Sequence, residues 1–160
     1  MSSKPNFLKA VLGAATLVGA LGAVGQAQAA ATIIINNINA AGVGFNETTA
    51  VAPVGGNTGT TVGAQRLIAF TYAANLWGAT LTSNQPIIIN AQFSVLTCSA
   101  ASAVLGSAGA TQVFANFTNA QKADTWYSYA LANKLSGVYQ GTANTPQINA
   151  NFNEIGRAHV

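Results

Sequence analysis

Charge is scarce in this chain, and the scarcity excludes a good deal. Six Lys or Arg, three Asp or Glu and one His are spread over 160 residues. Charged residues make up 6% of the chain, where about 25% is usual for a soluble domain. The formal net charge of +3 does not signal nucleic acid. Lys4 and Lys9 fall in an N-terminal leader and Arg157 in an anomalous tail. The body keeps Arg66, Lys122 and Lys134 against Glu47 and Asp124, a net charge of +1. So small and scattered an excess cannot track a phosphate backbone. Histidine is almost lacking as well, since His159 is the only one and lies in the tail. The body therefore has no imidazole to activate a nucleophile or to hold a metal. No catalytic, cofactor-binding or metal-ligating residue is assigned. The GGNTGTT run before a helix resembles a phosphate loop, but no lysine follows its last glycine. A plain turn into a helix N-terminus is the expectation there.

Cysteine also occurs only once, at Cys98. Three readings stand beside each other: a free buried thiol, an intermolecular bridge, and a half-cystine whose partner lies further along the natural chain. The last is favoured.

What is present begins with an export signal. Lys4 and Lys9 form a positive n-region, Ala10 to Val24 an apolar h-region, and Ala27-Gln28-Ala29 the small-x-small pattern of a cleavage site. The apolar core is shorter than the roughly 20 residues a spanning helix needs. Residues 1–29 are thus expected to be a signal peptide cleaved near Ala29. The mature protein is expected to be secreted or periplasmic, with no membrane attachment after cleavage. Its surface would be wetted by Asn, Gln, Thr and Ser in place of charge. At the other end, residues 154–160 read EIGRAHV, which one frame of a common short-read sequencing adapter encodes before a stop codon. The expectation is that this tail is not native and that the natural chain continues past Asn153.

Between these ends, residues 30–153 have room for one domain. Thr32 to Ile38 is β-branched and predicts a first strand. Asn39 to Gly63 carries six glycines and Pro53, which is loop chemistry. Thr60 or Thr61 can cap a helix over Ala64 to Trp77, ended by Gly78. Ile68, Tyr72 and Leu76 are spaced by four, predicting a buried stripe, with Gln65, Arg66 and Asn75 on the other side. Pro86 opens a strand from Ile87 to about Leu96. There Ile87, Ile89, Ala91, Phe93 and Val95 share one face, opposite Asn90, Gln92 and Ser94, which share theirs with Ile88. Ser99 to Gly109 reads as a small-residue loop and Thr111 to Phe117 as a strand. A second helix is expected from a cap at Asp124 or Thr125 to Gly137, and a last strand over Pro146 to Phe152. No internal repeat is visible. The fold class is α+β, a mixed sheet with a long helix packed on it.

The run from Gly42 to Cys98, followed by SAVLGSAGAT and TWYSYALANKL, resembles a family of exported bacterial zinc-metallopeptidase-like proteins, often described as carrying a protease-associated domain. The similarity covers nearly all of residues 30–153. It implies that this region is the N-terminal part of a catalytic domain, with a His-Glu-x-x-His helix downstream. That helix would supply two zinc ligands one turn apart and a glutamate to activate water. It is absent from this sequence, so none of the family's site residues is carried over. The resemblance implies a hydrolase that takes a protein or peptide substrate and uses zinc as full-length cofactor, with this chain inactive as it stands. The family has further cysteine after this region, which suits Cys98 as a half-cystine. The competing expectation, from the Ala/Gly/Asn/Thr-rich composition, is a non-enzymatic surface or adhesin-like protein or a small binding module.

Overall fold

The computed structural model describes residues 29–154. The bulk of the leader, residues 1–28, and residues 155–160 of the tail lie outside the described residues. The architecture is α+β. In chain order the elements are β1 (Ile33–Asn37), α1 (Val62–Thr80), β2 (Ile87–Ser94), β3 (Gly106–Ala110), β4 (Val113–Phe114), β5 (Tyr127–Ser128), α2 (Tyr129–Ser136) and β6 (Ile148–Asn153). A four-stranded sheet in the order β1-β2-β6-β3 carries the long helix α1 on one face, and a small two-stranded sheet, β4-β5, accompanies the short helix α2. Strands β1 (Ile33–Asn37), β2 (Ile87–Ser94) and β6 (Ile148–Asn153) run parallel; β3 (Gly106–Ala110) lies antiparallel on the edge beyond β6.

The parallel register places like residues side by side. Ile35, Ile89 and Ile148 align, as do Asn36, Asn90 and Asn149, and Phe93 pairs with Phe152. Each strand carries an Ile-Asn dipeptide at the same register position. That short repeat escapes a search for periodicity because its copies are 54 and 59 residues apart along the chain. Since side chains alternate across a strand, Ile33, Ile35, Ile87, Ile89, Ile148, Phe93 and Phe152 face α1, whereas Asn36, Asn90 and Asn149 face away together with Ile34 and Ile88. On the outer face the amides bond laterally, Asn36 Nδ2 to Asn90 Oδ1 at 2.6 Å and Gln92 Nε2 to Asn151 Oδ1 at 2.8 Å.

Helix α1 spans Val62–Thr80, longer than expected at both ends, and Gly78 lies inside it. Thr61 is the N-cap, its side chain accepting from the Ala64 amide at 3.1 Å. The expected stripe is on the wrong side. Ile68, Tyr72 and Leu76 are 38%, 65% and 55% exposed, whereas Val62, Gly63, Gln65, Ala74 and Gly78 are buried. The helix packs through its small residues because they admit backbone. A Cβ on Gly63 would meet the Glu47 amide nitrogen at 2.7 Å, and one on Gly78 the Ala31 carbonyl oxygen at 2.6 Å. Gln65 and Arg66, placed outward by the hydropathy pattern, turn inward. Gln65 Nε2 donates to the Ala52 and Gly59 carbonyls, and Arg66 pairs with Glu47 at 2.7 Å while lying 4.3 Å from the Phe93 ring centroid.

Beneath α1 the aromatic core joins Phe45, Phe70, Phe93 and Phe152. Edge-to-face contacts run from Phe45 to Phe70 at 4.9 Å and from Phe70 to Phe152 at 4.7 Å, the geometry aromatic quadrupoles favour. Phe45 comes from a 3-10 turn, Gly44–Asn46, held by Asn39. The Asn39 Oδ1 accepts from the Phe45 and Phe93 amides, both at 3.1 Å, and its Nδ2 donates to the Phe93 carbonyl at 2.7 Å. One side chain thus stands in for the strand that β1 no longer supplies beside Phe93. Asn39→Ala is expected to remove about 2–3 kcal/mol, near 1 for each lost bond. Urea denaturation would check it; a change below 0.5 would mean that water replaces the amide without cost, on the scale of an ordinary surface substitution.

Elsewhere the structure corrects several sequence expectations. β2 ends at Ser94, not Leu96, and leaves Val95 exposed outside it. The Ser99 to Gly109 loop contains β3 over its last residues and continues it to Ala110. The Thr111 to Phe117 strand shrinks to β4, Val113–Phe114, paired with β5, Tyr127–Ser128. Helix α2 covers only Tyr129–Ser136, after Ser128 and not after Asp124 or Thr125. Asp124 instead has φ 52° and exchanges hydrogen bonds with Asn116, closing the β4–β5 loop. Gly137 does end α2, in the left-handed region at φ 76°, as a C-terminal glycine should.

Candidate functional site

Two features of the fold face outward without cover. The first is a groove of about 650 Å³ between α1, α2 and the apolar face of the sheet. Its floor is Ile33, Ile35, Ile87, Ile89, Ile148 and Ala150; α1 contributes Phe70, Ala73, Ala74 and Trp77, and α2 contributes Ala130, Leu131 and Lys134. Trp77 at its rim is 62% exposed. Lys134 is the one charged residue lining it. The second feature is the outer edge of β3, whose sequence GSAGA is exposed throughout and pairs on one side only. It holds no charge and no proline, two of the devices that keep an edge strand from accepting another chain.

The residues singled out in the sequence do not converge on either feature. Cys98 is free and exposed in the β2–β3 loop, bridged through its backbone to Ala103, so the buried-thiol reading is corrected. The GGNTGTT loop is filled by its own polar groups. Asn57 Oδ1 accepts from the Gly59 amide at 3.0 Å, Asn57 Nδ2 donates to the Gln65 carbonyl at 2.8 Å, and Gln65 closes the remainder. His159 lies outside the described residues.

Among the described residues no three His, Cys, Asp or Glu come together as a metal would require. The residues present therefore do not fit a zinc ion, and no chemical step is derived through one. No helix among the described residues is long and apolar enough to cross a membrane.

No family model, curated protein or solved structure matches the chain. Its function has to be argued from the groove and the edge. Sequence reasoning missed both. The edge was hidden because Gly, Ala and Ser have little strand propensity. The groove was hidden because the isoleucines of three separate strands form it together.

Proposed function

We propose that this chain is the N-terminal part of an exported zinc-metallopeptidase-like protein and that β3 is the rail on which a peptide substrate is held in extended form. The observation that carries the reading is the uncovered, uncharged edge of β3. An extended peptide can add to such an edge as a further strand, gaining main-chain hydrogen bonds whatever its sequence. Small side chains on β3 favour this, because they leave both faces of the sheet beside it free for the side chains of an added strand. The parallel βαβ unit with an antiparallel outer strand supplies a rigid platform for it.

The chain's own residues have a positioning role in this reading. β6 holds β3 in register through five aligned pairs, Gly106 with Phe152 to Ala110 with Ile148. The zinc and the general base belong to residues after Asn153. Expression of the full natural reading frame, followed by metal analysis and digestion of an unstructured protein such as casein, tests the assignment. One zinc per chain and cleavage abolished by a chelator are expected. A folded, metal-free product without proteolysis would sink it.

A further inference from the structure

We propose that β3 selects one side chain of the extended peptide it holds, a large apolar residue opposite Gly106, seated against the ring of Phe152. The inference rests on the reading of β3 as a substrate rail. It adds which residue of the peptide is read and how the peptide's register is fixed.

The ladder decides which face each side chain of an added strand would meet. The pairs Gly106–Phe152, Ala108–Ala150 and Ala110–Ile148 lie on the face that carries α1, as Ile148, Ala150 and Phe152 do. Gly106, Ala108 and Ala110 also turn their amides outward. Their neighbours face β6 instead, with the Asn153 amide donating to the Leu105 carbonyl and the Thr111 amide to the Gln147 carbonyl. Residues opposite one another on adjacent strands share a face. A peptide residue opposite Gly106 therefore continues the row Phe93, Phe152, Gly106 across the α1 face. One opposite Ala108 continues the row Ala91, Ala150, Ala108, which offers only methyl groups.

Gly106 is what opens Phe152 to the peptide. A Cβ on Gly106 would stand 3.2 Å from Phe152 Cδ1 and 3.6 Å from Cε1, so the ring leans over the glycine toward the outer edge. A recess of about 350 Å³ lies there, lined by Leu105, Gly106, Ser107, Ala108 and Phe152. None of these residues is charged, so an ionised side chain finds no partner in it. An aliphatic or aromatic side chain instead buries area against the ring. Adjacent strands lie about 4.8 Å apart, which brings the incoming residue within a side chain's length of Phe152. Main-chain bonds along GSAGA are alike at each outward position and leave the register free to slip. One large side chain in the recess fixes it.

Fluorescence anisotropy on the protein expressed from its full reading frame tests this, with a chelator present to prevent cleavage. The probes are two labelled seven-residue Thr/Ser peptides, one with Phe and one with Ser at the centre. The Phe peptide is expected to bind about tenfold more tightly, the low end for an apolar pocket because the recess is open on one side. That comparison needs no substitution. Gly106→Ala sets a methyl group over the ring and is expected to cut the preference to about twofold, with the affinity of the Ser peptide unchanged. Equal affinities of the two peptides for the unsubstituted protein overturn the inference, and so does a Phe preference that Gly106→Ala leaves intact. Ala108→Pro separates this inference from the rail on which it rests. Two peptides that bind equally well and are both weakened by Ala108→Pro leave the rail standing and sink the selection at Gly106. Binding that Ala108→Pro does not weaken, or no binding of either peptide, removes the rail and the selection together.

Discussion

Gly63→Val is expected to destabilise the domain by about 3 kcal/mol, the upper part of the range for overpacking a core. That is a large fraction of a typical total of about 5–15 kcal/mol. The substituted side chain would enter the place where the 3-10 turn crosses the first turn of α1. The Glu47 nitrogen and the Phe45 carbonyl carbon both stand 2.7 Å from the position of a Cβ. These are backbone atoms, which cannot rotate aside. The Gly63 amide also donates to the Glu47 carbonyl at 3.1 Å, so displacing the turn breaks that bond. It also withdraws Phe45, which is 4% exposed, from its contacts with Phe70 and Phe93. At about 4 °C per kcal/mol for a domain of this size, the melting temperature should fall by roughly 12 °C. Gly109→Ala is the control, since a Cβ there has no atom within 4 Å. It should change stability by less than about 0.5 kcal/mol. Equal effects at the two positions would show that backbone entropy, not the close approach, governs Gly63.

If β3 is the substrate rail of a peptidase, as proposed, Ala108→Pro in the protein expressed from its full reading frame is expected to lower kcat/KM for an extended peptide by about 10–100-fold, the loss of one or two main-chain hydrogen bonds. The choice of residue follows from the ladder. The Thr111 amide donates to the Gln147 carbonyl and the Asn153 amide to the Leu105 carbonyl, both at 2.9 Å. Odd-numbered residues of β3 therefore address β6, and Gly106, Ala108 and Ala110 present their amides outward. Proline at 108 removes an outward donor and leaves the pairing with β6 intact, the edge position at which proline is tolerated. Ser107→Pro would instead remove an inward donor and loosen β3 itself. An Ala108→Pro protein with unchanged kcat/KM would exclude β3 as the substrate rail. Loss of activity together with a large drop in melting temperature would show a folding defect instead.

The contrast between α1 and β2 shows what a sequence of this kind discloses. In β2 the alternation of Ile87, Ile89, Ala91 and Phe93 with Asn90 and Gln92 identified the inner face correctly, because large apolar residues and amides differ sharply in hydration. In α1 both faces are apolar, and the winning one is not the more hydrophobic. Gly63, Ala74 and Gly78 bring the helix close to other backbone, and Ile68, Tyr72 and Leu76 are left outside. Hydrophobic spacing alone cannot express that preference for close approach. Both glycine ends and caps were partly legible. Thr61 and Gly137 act as their chemistry suggests, whereas Gly78 sits where the helix needs its smallness and does not end it. Asp124 and Thr125 resemble caps, yet Asp124 serves a loop. For the candidate site the limit is different. Cys98 and the glycine-rich loop were visible and do not build the site, while the groove exists only once β1, β2 and β6 are side by side.

The outer face of the sheet has a consequence for the setting in which such a protein would work. Its lateral bonds join amide to amide, from Asn36 through Asn90 to Asn149 and from Gln92 to Asn151. None of these groups gains or loses a proton over the ordinary pH range, and none depends on Coulomb attraction that dissolved ions would screen. A sheet held together in this way keeps its cohesion through acidification and through changes in salinity that would weaken a surface of ion pairs.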